Sequence, residues 1–420
     1  MPQHSASLWR HRDFRTLWIG ATISNFGSAI TRLALPMTAV VTLQASAAQM
    51  GMLGAASTLP ALLLSLLVGV WVDRVRRRPL LIGADLGRAV LIGAVPLLAM
   101  GGMLRMEYLY VVSFLAGVLT LVFDIANTSL LPHLVARDQL VEGNSKLVLS
   151  ESVASIAGPS VAGSLIQGLT APLAMLMDAI SFLGSALCLS MIHPHENPAA
   201  RSRSDVSVWQ EVGEGVQWII KTATLRAMTV SSGLGSLAIS MQQTVFILFL
   251  SRELGLEPTA LGIVLASSGI AAVLGAFLAD TIAKQWGPGP AMMWGTSLGC
   301  LSQGMISLTN GPVLIQMVIL ISAQCLQGIG SPIYSINQLS VRQMLTPDRV
   351  LGRVNASRRF IVFGIRPIGA LLGGVLGELI GVRWTLVTAT AVMLVGVLYL
   401  MYSPLRTLRE PPCPMSPSPA

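Results

Sequence analysis

The chain has 420 residues, 53% of them hydrophobic and only 11% charged, with a mean hydropathy of +0.69, whereas soluble domains carry about 25% charged residues. That composition excludes a soluble globular enzyme and predicts a polytopic membrane protein. The net charge of +8 then reads as topology signals and contacts to anionic lipid headgroups, and implies no nucleic-acid partner.

Runs of about 20 apolar residues predict helical spans near 16–43, 50–72, 80–100, 108–131, 147–169, 172–192, 225–250, 260–283, 290–308, 313–338, 360–380 and 384–402. The first run follows a basic flank (Arg10, Arg12, Arg15). It far exceeds the core of a signal peptide, about 7–15 residues, so it stays as the first membrane helix. Between the second and third spans lies Gly69-Val-Trp-Val-Asp73-Arg74-Val-Arg76-Arg77-Arg78. Its charges cannot sit in hydrocarbon, and an arginine cluster points to the cytoplasm. With the N-terminus cytoplasmic, about 21 Lys or Arg fall inside, about 3 (Arg105, Arg252, Arg383) outside and about 3 within spans, as the positive-inside rule requires. Both termini are expected in the cytoplasm, with the chain in a cell inner or plasma membrane.

The expected organisation is a tail (1–15), a six-helix bundle (16–192), a central cytoplasmic loop (193–224), a second six-helix bundle (225–402) and a tail (403–420). In the central loop Val208, Val212, Val216 and Ile219 recur at helical spacing, with Trp209 and Trp218 as interface anchors. This reads as a surface helix; a simple tether is the alternative, and both stay open. The halves repeat: Arg15 matches Arg226, Asp73 matches Asp280, Pro132 to Asp138 resembles Gln343 to Asp348, and Gly158-Pro159 with Gly163 matches Arg366-Pro367 with Gly373. Landmarks at a steady offset of about 207–211 residues indicate a parallel internal repeat.

The pattern carried by Gly69, Asp73, Arg74, Arg77 and Arg78 resembles the signature loop of the major facilitator superfamily of secondary transporters. Phe14-Arg15-Thr16-Leu17-Trp18, Ile82 to Arg88 and Asp178-Ala-Ile-Ser-Phe182 are similar to the drug:proton antiporter branch, which includes macrolide efflux proteins and the enterobactin exporter. The resemblance implies an all-α fold of twelve membrane helices in two six-helix pseudo-repeats, and export of a small organic compound by proton antiport with alternating access. It also implies that the signature loop clamps the cytoplasmic ends through an acidic residue on the fourth helix, for which Asp124 is the candidate partner of Arg77. By resemblance to the antiporter Gly-Pro motif, Gly158, Pro159 and Gly163 allow a bend and close packing, and simple packing serves equally well.

Ionisable residues inside spans are costly and mark function by default. Ser24, Ser28, Thr31 and Arg32 share one face of the first helix, answered by Ser232, Ser236, Ser240 and Gln243 on the seventh and by Gln324, Gln327, Ser331, Tyr334 and Gln338 on the tenth. Together with Arg366, a cavity lined by Ser28, Arg32, Ser236, Gln243, Gln327 and Tyr334 suits an amphiphilic organic solute with an acceptor or anionic group. Helix–helix hydrogen bonding alone is the other reading of each stripe. Asp124 and Glu151 are the proton-coupling candidates, with Asp178 nearer the outer end of its helix. Asp85 and Arg88, three apart, most simply neutralise each other.

The sequence has no G-x-x-x-x-G-K-[ST] phosphate loop, no H-E-x-x-H and no G-x-S-x-G elbow, so neither ATP-driven pumping nor hydrolysis is expected. Cys188, Cys300, Cys325 and Cys413 lie singly, and His193 and His195 border a loop; no metal and no cofactor are expected. The expected partners are a small-molecule substrate, protons and the lipid bilayer, with the chain acting as a monomer. A proton-independent facilitator or importer is the alternative, followed by a non-transporting membrane receptor.

Overall fold

The computed structural model describes residues 8–72, 75–131, 134–135, 139–192 and 208–408. Among the described residues there is no strand, and thirteen α-helices account for most of them. In chain order they are α1 (Arg12–Met37), α2 (Ala47–Val72), α3 (Arg77–Met100), α4 (Met106–Leu130), α5 (Leu140–Gly168), α6 (Ala171–Met191), α7 (Val208–Lys221), α8 (Ala223–Leu248), α9 (Pro258–Trp286), α10 (Pro288–Ser307), α11 (Val313–Leu345), α12 (Asp348–Leu379) and α13 (Val382–Met401).

Twelve of these, all but α7, coincide with the predicted spans. Among the described residues nine are long and apolar enough to cross a membrane by length and composition. The remaining three, α1, α5 and α10, are interrupted by hydroxyls, glycine and, in α1 and α5, charge. Helix and apolar run part company at several helix ends: α5 begins at Leu140 rather than near 147, α11 runs on to Leu345, and α12 begins at Asp348 rather than near 360. Backbone hydrogen bonding propagates a helix beyond the point where its side chains stop being apolar, so hydropathy marks the hydrocarbon slab and not the helix end.

Local chemistry sets several ends. The Thr170 hydroxyl accepts from the Leu173 amide at 3.4 Å, with Pro172 in the first turn of α6. The turns into α10 and α13 are made by Gly287 (φ 91°) and Gly381 (φ 88°), in a left-handed region costly for any residue with a Cβ. Both α1 and α8 close on a π-helical turn, Thr38–Thr42 and Phe249–Glu253, which adds a landmark to the internal repeat.

The chain packs as two compact units: Met1–Ala45, Ala56–Arg203 and Glu257–Ala266 in one, Ser46–Ala55, Ser204–Leu256 and Ser267–Ala420 in the other. In the first unit Phe14, Leu17, Val72, Leu81, Ala126, Leu130 and Leu189 form an apolar cluster. Phe14 and Leu17 of the Phe-Arg-Thr-Leu-Trp run are therefore core residues. In the second, Met228, Met292, Val341, Val354 and Leu400 do the same, with Tyr334 packed against them. Along α8, Ser236 donates to the Val362 carbonyl at 2.8 Å, Ser240 to that of Arg366 at 2.6 Å and Thr244 to that of Ala370 at 3.4 Å. These hydroxyls lace α8 to α12, the interhelical role expected of such residues in apolar surroundings.

Residues 208–221 of the central segment are helical, as α7. Glu214 pairs with Arg353 of α12, and Gly215 lies so close to the Arg353 carbonyl that a Cβ there would overlap it. The side chains of Val208, Trp209 and Val212 lie outside the described residues.

The structure also revises the repeat register. Gly163 lies against Gly262 in the first unit, and Gly374 lies against Gly51 in the second, with partners 211 residues apart on both sides. Gly163 therefore corresponds to Gly374 rather than Gly373, and Pro159, whose carbonyl meets Gly262, corresponds to Ala370, whose carbonyl meets Gly51. The shared Gly-Pro and Arg-Pro dipeptides suggested a different offset because proline sits three residues earlier in the second copy.

Candidate functional site

In the first unit, charge is buried among α1, α3, α4, α5 and α6. Arg88 of α3 pairs with Asp85 one turn earlier. Its guanidinium is stacked between the rings of Phe123 on α4, 4.3 Å away, and Phe182 on α6, 4.2 Å away. Asp85 is 0% and Arg88 4% exposed, so the pair survives only because each charge has a partner and the cation has two aromatic faces. Asp178 of α6 is also buried and accepts from the Ser181 hydroxyl at 3.1 Å. Gly27 of α1 makes room for it, since a Cβ there would overlap Asp178 and Ser181.

Asp178 lies within electrostatic reach of both Arg88 and Arg32, and Arg32 also feels Glu151 on α5. The result is an alternating set, Asp85, Arg88, Asp178, Arg32 and Glu151, whose last two members are exposed. Arg32 and Glu151 sit well inside spanning helices, where exposed charge is tolerated only against water.

In the second unit, a polar cluster joins α8, α11 and α12. Arg358 Nη2 donates to Gln338 Oε1 at 2.6 Å and to Ser232 Oγ at 3.1 Å. Gln338 Nε2 donates to Ser232 Oγ at 2.7 Å and to the Tyr334 hydroxyl at 3.0 Å, and Ser232 and Tyr334 share a hydrogen bond at 2.7 Å.

The remaining predicted residues are placed as follows. Ser28, Gln327 and Tyr334 are half-buried, Gln243, Arg366 and Asp124 are exposed, and Ser236 is buried with its hydroxyl committed to α12. Arg366 stacks on Phe363 at 4.3 Å. In the signature loop Asp73 and Arg74 lie outside the described residues, and Gly69 has open space around it. Arg78 donates through Nε to the Leu189 carbonyl at 3.0 Å and also to that of Ser190, so it satisfies terminal carbonyls of α6 with a cation, as helix C-termini favour. Gly158 lies so close to Ala29, and Gly163 so close to the Pro258 carbonyl, that a Cβ on either would overlap it.

Sequence reasoning missed Arg358. It falls between the apolar runs 313–338 and 360–380 and so reads as a cytoplasmic loop charge, whereas it lies about 15 Å of rise inside α12. The usable signal was Tyr334 and Gln338, four apart on one face of α11 and in need of a polar partner.

Comparison with known structures gives the class. A bacterial homologue of the iron transporter ferroportin in an inward-facing state superposes with a TM-score of 0.78 at 16% identity, covering 94% of this chain and 99% of the other. The nucleoside transporter NupG superposes with a TM-score of 0.74 at 14% identity, covering 93% and 98%. The fold is that of major facilitator transporters, and the protein is a transporter rather than an enzyme. Residues 4–417 match the family described as transmembrane secretion effector, and the chain belongs to that family of the major facilitator superfamily. It is 27% identical over 399 residues to the multidrug efflux pump Tap of Mycolicibacterium fortuitum, covering 92% of this chain and 95% of that one. It is 23% identical over 398 residues to macrolide efflux protein A of Streptococcus pyogenes, covering 94% and 97%.

Proposed function

We propose that this transporter exports a small, drug-like or siderophore-like organic compound across a cell inner or plasma membrane in exchange for protons, by alternating access between its two pseudo-repeats. The observation that carries the reading is the charged face of the first unit, which we take to line an aqueous path. There Arg32 and Glu151 are exposed within the span, with buried Asp178 behind them and in reach of Arg32. A carboxylate beside a movable positive charge can take up a proton when that charge turns to another partner, and release it when the charge returns. Export as the direction rests on similarity to the efflux pump Tap and macrolide efflux protein A. In this reading Asp124, exposed on α4 about 9 Å of rise before Leu130, is the partner of the signature-loop arginines and a second proton candidate.

The test is flux of a fluorescent drug into inverted proteoliposomes under an imposed pH gradient, with Glu151→Gln and Asp124→Asn alongside. Gradient-driven uptake in wild type, reduced at least about tenfold and uncoupled from pH in one variant, is the expected outcome. Drug flux in wild type that ignores the gradient makes the protein a facilitator and removes the proton assignments.

A further inference from the structure

The polar cluster of the second unit holds more positive charge than its surroundings neutralise. Arg358 makes both of its hydrogen bonds, to Gln338 and Ser232, through Nη2, and its Nε is buried without a partner. Arg342, one turn after Gln338 on α11, is 9% exposed, its Nε is likewise buried without a partner, and it is close enough to Arg358 to repel it. Among the described residues no carboxylate pairs with either arginine. The side chain of Asp348 lies outside the described residues. The acceptors Ser232, Tyr334 and Gln338 are already used to hold the Arg358 fork in place.

Two like charges in an apolar setting beside Met228, Val341 and Val354 are costly unless an anion joins them. A guanidinium pinned at one nitrogen with its remaining N–H groups unspent is pre-organised for a carboxylate or phosphoryl oxygen. We infer that Arg358, with Arg342, forms an anion-binding site in the cytoplasmic half of the second unit, taking the carboxylate or phosphate group of an amphiphilic solute whose apolar part lies against the neighbouring side chains. The inference deepens the transporter reading by naming the substrate's chemical class. Binding at the site is nonetheless measurable without transport.

The experiment is fluorescence anisotropy of carboxyfluorescein with the full chain in nanodiscs of zwitterionic phosphatidylcholine, comparing wild type with Arg358→Gln, Arg358→Lys and Arg342→Gln. Each variant is first checked for monodispersity and unchanged melting. Loss of one charge-assisted contact weakens binding at least about tenfold in Arg358→Gln, and Arg358→Lys, which keeps the charge but not the fork, falls in between. Arg342→Gln, a residue with no hydrogen bond of its own among the described residues, weakens binding in the same direction and supplies the answer if Arg358→Gln does not fold. Displacement of the dye by discs containing anionic phosphatidylglycerol identifies a lipid headgroup as the occupant of the same site, and no displacement identifies a free solute. Absence of binding in wild type, or equal binding in the neutral variants, overturns the inference. Because no proton gradient is present, this result stands apart from the success or failure of coupled export.

Discussion

Replacing Arg88 by methionine tests the buried charge of the first unit. The substitution keeps an unbranched, apolar side chain between Phe123 and Phe182 but leaves the Asp85 carboxylate, 0% exposed, without its cation. Stranding one member of a buried pair costs about 3–5 kcal/mol. Loss of the two ring contacts adds about 0.5–2 kcal/mol each in isolation, though contributions within one cluster are not additive, so a destabilisation of at least about 3–5 kcal/mol is expected. Asp85→Leu with Arg88→Met removes both charges and is expected to return to within about 2 kcal/mol of wild type, since well-packed apolar replacements of buried pairs are often neutral. The assay is unfolding in mixed micelles on titration with sodium dodecyl sulfate, followed by a thiol-reactive dye. Cys188 on α6 and Cys300 and Cys325 in the second unit are only partly exposed in the folded protein, and each becomes reactive on unfolding. If the single variant is as stable as the double, the carboxylate is solvated and the account of this cluster is wrong.

Two further predictions rest on close packing. Gly27→Ala places a methyl group onto Ser181 and Asp178 and is expected to destabilise by about 1–3 kcal/mol in the same titration; wild-type stability would mean that α1 and α6 are not held at this spacing. Gly374→Ala brings a Cβ to within 2.8 Å of the Ala47 carbonyl, pushing the start of α2 off α12. A cysteine introduced by Ala48→Cys should then react several-fold faster with a membrane-impermeant maleimide, at a site where the Ala48 amide donates to Glu378 at 3.4 Å. An unchanged labelling rate would show that the glycine contact does not hold that helix end.

Much of the architecture was legible along the chain because the bilayer is a demanding solvent: about 20 apolar residues are needed per crossing, and charge is confined to the ends. Twelve membrane helices and the transporter family followed from that patterning and from the Gly69 to Arg78 loop. The Asp85–Arg88 pair followed from helical spacing alone.

Tertiary structure decided what the one-dimensional pattern leaves degenerate. A hydroxyl stripe on a membrane helix reads the same whether it lines a cavity or bonds a neighbouring backbone, and only packing shows that Ser236 and Ser240 bond to α12 while Ser232 joins Arg358. Helix ends past the hydrocarbon carry no hydropathy signal, which is why Arg358 looked like a loop charge until α12 was seen to begin at Asp348. Partners hundreds of residues apart, such as Ala48 and Glu378, are brought together by helix packing. No local property of either segment records that meeting.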